Sequence, residues 1–189
     1  PLDMRMDQTQ ELDAYYVVNK YSKAQLINIF KKYGEAHEAN AVASKIVEIR
    51  KVAPIESTLQ LVDVITTAVS KKTIFKHKHP ARIYFQAIRM EVNHELEVLT
   101  SFINEVVKYL KVNGIIAIIT FHSLEDRIVK TIFNKLTISS LPKEIPIQQD
   151  PNVKFALVNK KPIVPTEQEI DENKRSHSAK LRALKRIKE

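Results

Sequence analysis

Cysteine and tryptophan are absent, and the 189 residues contain only two glycines, Gly34 and Gly114. Without cysteine there is no disulfide scaffold, no thiolate nucleophile and no thiolate zinc site. At the average usage of about 7%, a chain of this length would carry about 13 glycines. Backbone approach to a phosphate or nucleoside usually needs glycine, so a self-contained P-loop or G-x-G-x-x-G site is excluded. Long apolar runs are lacking too. The longest, Ile115 to Ile119, is far shorter than the roughly 18–20 residues that span a bilayer. With no N-terminal signal pattern, the expectation is a soluble cytoplasmic protein that does not engage membranes. The first residue is Pro1 rather than Met, which points to processing or to a partial sequence.

What is present is ordinary for a folded domain: 44% hydrophobic and 28% charged residues, which excludes wholesale disorder. Thirty Lys and Arg against 22 Asp and Glu leave a net charge of +8. That charge is clustered. Lys71, Lys72, Lys76, Lys78, Arg82 and Arg89 lie in one stretch without an acid, and Asp171–Glu189 holds seven bases against three acids. Two basic clusters suggest a polyanionic partner, with nucleic acid favoured slightly over a lysine-rich solvated surface.

Residues 1–13 are polar and show no period. From Tyr15 to about Val69 the pattern is helical. Ser22-x-x-Gln25 and Ser57-x-x-Gln60 are capping-box signatures, and Gly34 stands where a left-handed C-cap is wanted. A middle helix carries Ala39, Val42, Ala43, Ile46 and Val47 and stops before Pro54. Lys71–Lys78 reads as a loop. Pro80 suits the first position of a helix with Phe85, Ile88, Val92, Leu96 and Leu99 on one face. Arg82, Gln86, Arg89 and Asn93 lie on the other. A further helix is expected over Ser101–Leu110. Ile115–Phe121 is β-branched and continuously apolar, the signature of a parallel strand buried on both faces. It leads into a helix with Ser123 as its expected N-cap. Helix, strand, helix is the doubly wound α/β pattern. Residues 139–152 read as a loop, Phe155–Val158 and Pro162–Val164 as short strands, and Ala179–Ile187 fits either a strand or a helix.

In open α/β sheets ligands bind beyond the carboxyl ends of strands. His122 and Ser123 stand at that place, followed by Asp126, Arg127 and Lys130. Asp3, Arg5 and Asp7 alternate along an extended segment, an arrangement that a simple ion pair would also produce. His77-x-His79 lacks a third ligand, so no metal site is expected. A triad of Ser123, His122 and Asp126 is set aside because no glycine-flanked elbow surrounds the serine.

Taken in order, Pro1-Leu2-Asp3-Met4-Arg5-Met6-Asp7, Tyr33-Gly34-Glu35, His79-Pro80-Ala81 with Phe85-Gln86-Ala87-Ile88-Arg89, Val92-Asn93, Phe121-His122-Ser123-Leu124-Glu125-Asp126-Arg127-Ile128-Val129-Lys130 and Ser178-Ala179-Lys180-Leu181-Arg182 resemble the MraW/RsmH family. That family comprises S-adenosylmethionine-dependent methyltransferases of cytosine N4 in small-subunit ribosomal RNA. The resemblance runs nearly end to end and departs locally: the family's Gly-Glu-Glu reads Gly34-Glu35-Ala36, its Pro-Ala-Thr-Arg reads Pro80-Ala81-Arg82-Ile83, and its Asn-Pro-Arg-x-Arg-Ser reads Asn173-Lys174-Arg175-Ser176-His177-Ser178.

The resemblance implies an α/β, class I (Rossmann-like) methyltransferase fold, incomplete at the N-terminus and interrupted by an all-helical insertion. Residues 1–13 would close the N-terminal part, 14–78 would form the insertion, and 79–189 the C-terminal part. The glycine-rich S-adenosylmethionine site would then lie upstream of Pro1, which accounts for the scarcity of glycine. Asp3, Asp7 and His122 become the catalytic candidates. Arg5, Arg89, Asn93 and Ser123 are candidates for orienting the nucleotide, and Arg127, Lys130, Lys180 and Arg182 for holding phosphates. Ribosomal RNA or the ribosomal subunit would be the partner. A strand Ile115–Phe121 without its parallel neighbours would favour aggregation or a homodimer. The rival readings are a non-catalytic RNA-binding module and a basic helical DNA-binding protein.

Overall fold

The computed structural model describes residues 1–76, 79–139 and 152–189. His77 and Lys78, and residues 140–151 of the expected 139–152 loop, lie outside the described residues. The chain is mixed α/β and forms two compact units, Pro1–Glu95 and Leu96–Glu189. Among the described residues no helix is long and apolar enough to cross a membrane.

The first unit is helical: α1 (Ala14–Lys20), α2 (Lys23–Lys32), α3 (Ala39–Ile49), α4 (Thr58–Ala68), α5 (Lys71–Lys76) and α6 (Arg82–Val92). Both expected capping boxes form, Ser22 with Gln25 and Ser57 with Gln60. Each satisfies two backbone N–H groups that a helix start would otherwise leave without partners. Helix α2 packs on α3 and α6, and Phe30 meets Tyr84 edge to face at 5.0 Å. Leu26, Phe30, Ile46, Leu61, Ile65 and Ile88 are fully buried.

Gly34 is not the left-handed cap. The neighbouring Glu35 takes that conformation, with φ 48°, and the Ala36 N–H closes the turn on the Phe30 carbonyl. Gly34 is needed for another reason: a Cβ there would stand 2.8 Å from the Phe30 oxygen and 2.9 Å from the Ile83 oxygen. Glycine lets the end of α2 touch the backbone of α6.

Three further expectations change here. Lys71–Lys76 is helical rather than a loop, started by the Ser70 hydroxyl, which accepts from the Thr73 N–H. Pro80 precedes α6 instead of opening it, because His79–Arg82 forms a turn closed by the Arg82 N–H on the His79 carbonyl. The long helix expected through Leu99 breaks at Asn93, whose side chain takes the Arg89 carbonyl, and His94, at φ 48°. A new helix, α7 (Glu95–Tyr109), begins there.

The second unit carries α7, β1 (Ile115–Thr120), α8 (Ser123–Thr137), β2 (Phe155–Leu157), α9 (Glu167–Glu172), a 3-10 turn (Lys174–Ser178) and β3 (Lys180–Arg186). The tail is therefore a strand, and the central one: the sheet order is β1-β3-β2, antiparallel throughout. Ile116 pairs with Leu184 and Ile118 with Arg182. Leu184 joins Ile103 and Val107 of α7 and Val129 and Phe133 of α8 in one core. Phe155–Leu157 forms as a strand, while Pro162–Val164 contributes only a bridge from Ile163 to Leu181.

The expectation that β1 is buried on both faces does not hold. Ile116 and Ile118 turn inward, whereas Ile115 and Ile119 remain 55% exposed. Its described partner is antiparallel rather than parallel. A continuous apolar run cannot distinguish these cases, because the pleat alternates whatever the residue types.

Candidate functional site

Two loci hold the sequence-derived site residues, one in each unit. In the first, Asp3 and Arg5 form a local clamp. Arg5 Nε donates to Asp3 Oδ1 at 2.8 Å and Nη2 to Oδ2 at 2.9 Å. The Arg5 backbone N–H also reaches Oδ1. This turn forces Met4 into the left-handed region at φ 65°, a costly conformation for a residue with a β-carbon. The Arg5 hydrogen bonds hold the Asp3 carboxyl down at about 2, and the same pairing raises the Arg5 pKa. Asp7 is lowered mainly by the Thr9 hydroxyl and then by the Thr9 backbone N–H, both donating to Oδ1. Its Oδ2 has no hydrogen bond among the described residues.

Asn93 holds this segment in place. Its Oδ1 accepts from the Met6 N–H at 2.7 Å, and its Nδ2 donates to the Met4 carbonyl at 2.9 Å. With Nδ2 also on the Arg89 carbonyl, the amide is engaged in positioning residues 4–6. Arg89 forms a bidentate pair with Glu95, at 2.7 and 3.0 Å. Glu95 and Thr9 had no part in the sequence reading. The spacing Asp7-x-Thr9, an Asx-type turn signature, could have flagged Thr9; nothing local links Arg89 to Glu95 across the helix break.

In the second unit the β1–α8 connection holds His122. The N-cap of α8 is His122, not Ser123: imidazole Nδ1 accepts from the Glu125 N–H at 3.3 Å. Glu125 Oε2 reciprocates, accepting from the Phe121 N–H at 2.9 Å and the His122 N–H at 3.3 Å. The H-x-x-E spacing is a capping box with imidazole in the serine's place, which a search for Ser, Thr, Asp or Asn overlooks. Because a backbone N–H points at Nδ1, that nitrogen carries the lone pair and the proton resides on Nε2. Nε2 lies 3.2 Å from Glu125 Oε1 but too poorly aligned for a hydrogen bond, and it is buried without another partner. Burial works to raise the Glu125 pKa; the adjacent imidazole and the backbone donors outweigh it, and the net shift is downward.

One turn on, Asp126 is buried and receives Arg182 in a bidentate pair at 2.7 and 3.1 Å. Lys180 Nζ stands 3.7 Å away. The Arg182 hydrogen bonds lower the Asp126 pKa against an opposing effect of burial. This ion pair fastens β3 to the start of α8, so Arg182 is mostly enclosed. Ser123, Arg127 and Lys130 are exposed on α8.

The comparisons with known proteins decide the family. A model of the MraW methylase family matches residues 1–187. The chain belongs to the MraW methylase family. Among curated proteins it is 50% identical over 183 residues to "Ribosomal RNA small subunit methyltransferase H" of Ureaplasma urealyticum serovar 10, which covers 97% of this chain and 59% of that protein. A protein of the same name from Fusobacterium nucleatum subsp. nucleatum is 51% identical over 188 residues, covering 98% of this chain and 59% of its own length. The chain thus spans about three fifths of the curated relatives it matches. Within this MraW methylase chain neither glycine forms a cofactor cradle. Gly34 is closed against Phe30 and Ile83, and a Cβ on Gly114 would stand 2.8 Å from the Lys111 oxygen. Neither glycine offers the close backbone approach that S-adenosylmethionine would need.

Proposed function

We propose that this chain is the substrate-side portion of a cytoplasmic methyltransferase that acts on N4 of a cytosine in small-subunit ribosomal RNA, with S-adenosylmethionine as donor. The observation that carries the reading is the 50–51% identity to ribosomal RNA small subunit methyltransferases over 97–98% of the chain. The two basic clusters support an RNA partner. On this reading the donor site and the parallel neighbours of β1 belong to sequence outside these 189 residues, and residues 14–78 are a helical insertion in a class I fold.

The acceptor chemistry can be assigned among this chain's own groups. The N4 lone pair is delocalised into the cytosine ring, so the amine must be held in geometry by a hydrogen-bond acceptor. Both Asp3 and Asp7 have lowered pKa values and are ionised at neutral pH. Asp3 spends both oxygens on Arg5, whereas Asp7 keeps Oδ2 available; Asp7 is the acceptor and Asp3 the residue that sets Arg5. Its low pKa makes Asp7 a weak base: it aligns N4 and takes the N4 proton only as the incoming methyl group makes that nitrogen strongly acidic, then releases it to solvent. His122 keeps Nδ1 on the α8 cap and Nε2 enclosed beside Glu125, so it reaches a base edge or phosphate only when that side chain turns outward. It would act as a proton carrier only by opening that cap. Arg127, Lys130 and Lys180 are the candidates for phosphate contacts.

The test is methyl incorporation into small-subunit RNA by the complete enzyme. Asp7→Asn should lower kcat by about 10²- to 10⁴-fold, and Asp3→Asn should lower it less, through release of Arg5. Near wild-type turnover by Asp7→Asn would refute the acceptor assignment.

A further inference from the structure

Between Asp63 and Glu91 the chain has no acid and six lysines and arginines. This stretch builds α5 and α6 of the first unit, and it carries an anomaly. Phe75, on α5, is 96% exposed, the most exposed large apolar side chain among the described residues. Its neighbour Ile74 is 40% exposed, and Lys71 and Lys72 on the same helix are exposed as well. Among the described residues no aromatic or cation–π contact engages the Phe75 ring. Adjoining α5 is a cavity of about 520 Å³, walled by Val62, Ile74, Pro80 and Phe85, with His79 and Arg82 also in its lining. That volume is in the range of small-molecule sites, enough for a nucleoside. The Arg82 side chain has no partner among the described residues.

An aromatic ring standing free in a field of cations, beside an apolar slot, is the arrangement that binds unpaired nucleotides: bases stack on the ring while cations follow the phosphates. We propose that Phe75, Lys71, Lys72 and Arg82 form a stacking site for single-stranded RNA, with one base on the Phe75 ring and its neighbour in the adjoining cavity. Charge decides this occupant over a protein helix: Lys71, Lys72 and Arg82 match a phosphate backbone, and the acid beside α5, Glu38, is already engaged by the Ser70 N–H. The inference rests on the ribosomal RNA reading and deepens it by naming where the strand is gripped, away from the acceptor acids.

The chain's lack of tryptophan provides a direct readout. Phe75→Trp introduces a single indole whose emission a stacked base quenches. Titration of the 189-residue chain with a labelled eight-nucleotide single-stranded oligoribonucleotide should quench Phe75→Trp. Phe75→Ala should weaken binding by about 5- to 150-fold, with the salt slope unchanged. Lys71→Ala should reduce that slope by about 0.7. Far-UV circular dichroism should be unaltered in all three, since these side chains are exposed. Phe75→Ala binding as tightly as the parent, or no quenching while anisotropy reports binding, would overturn the site and leave the ribosomal RNA reading standing. Full rescue by Phe75→Leu would also overturn it, marking a generic apolar contact with a protein. Failure of the parent chain to bind the oligoribonucleotide would overturn the site as well; the methylation assay then judges the wider reading separately.

Discussion

The first unit draws its fully buried side chains from α1, α2, α3, α4 and α6, among them Val17, Leu26, Phe30, Ile46, Ile65 and Ile88. In the second unit the core is Ile103, Val107, Val129, Phe133 and Leu184, all on one side of a three-stranded sheet. Helices can enclose a core from several directions, whereas a sheet needs a layer on each face. On the other face of β1, Ile115 and Ile119 remain exposed, and among the described residues one edge of β1 is unpaired. The difference shows where the chain is self-sufficient and where its apolar surface calls for further protein.

The comparison can be broken most severely in the helical unit. Phe30→Ala removes a fully buried ring that contacts Tyr84 and should cost about 3–5 kcal/mol in urea denaturation. A cost under about 1 kcal/mol would show that the helical core is loosely packed. A smaller effect is expected where β3 is fastened to α8. Asp126→Asn breaks the pair with Arg182, and a cost of about 1–3 kcal/mol is expected, kept below that of a fully enclosed pair by the exposed Lys180. The folded-state pKa of Asp126 lies below its ordinary value. This stabilisation is therefore complete above the unfolded carboxyl pKa, near 4, and is lost as pH falls through the folded value. Urea midpoints measured from pH 7 down to 3 should fall less steeply for Asp126→Asn than for the parent. An equal fall in both would remove Asp126 from the account. The smallest effect should come from the open face of the sheet. Ile119→Thr should change stability by less than about 0.5 kcal/mol while reducing self-association in sedimentation velocity. A loss above 1 kcal/mol would mean that this face is covered.

The helical punctuation was legible from local sequence. Ser22 with Gln25 and Ser57 with Gln60 close rings within a single turn, so spacing alone reveals them. Gly34 was recognised as a special position for the wrong reason, because the Ile83 backbone that excludes a Cβ lies far along the chain. At the candidate site, the residue types of the Asp3–Arg5–Asp7 segment and of His122–Lys130 were evident. Their partnerships were not: Asn93 reaches Met4 and Met6, and Arg182 reaches Asp126. Both are contacts between segments more than fifty residues apart.

By itself the sequence determined the helix starts, the apolar stripes, the basic clusters and the motifs of the family, because each depends on residues within a turn or two. Tertiary structure alone decided that Ala179–Ile187 holds a strand, that β1 buries one face, and that Arg182 serves an ion pair. Strand pairing and ion pairing depend on which distant segment arrives alongside, and no local period records that. The two glycines show the division most plainly. Their number spoke against a nucleotide cradle, but only the fold shows that the Phe30 and Ile83 carbonyls leave no room for a Cβ at Gly34.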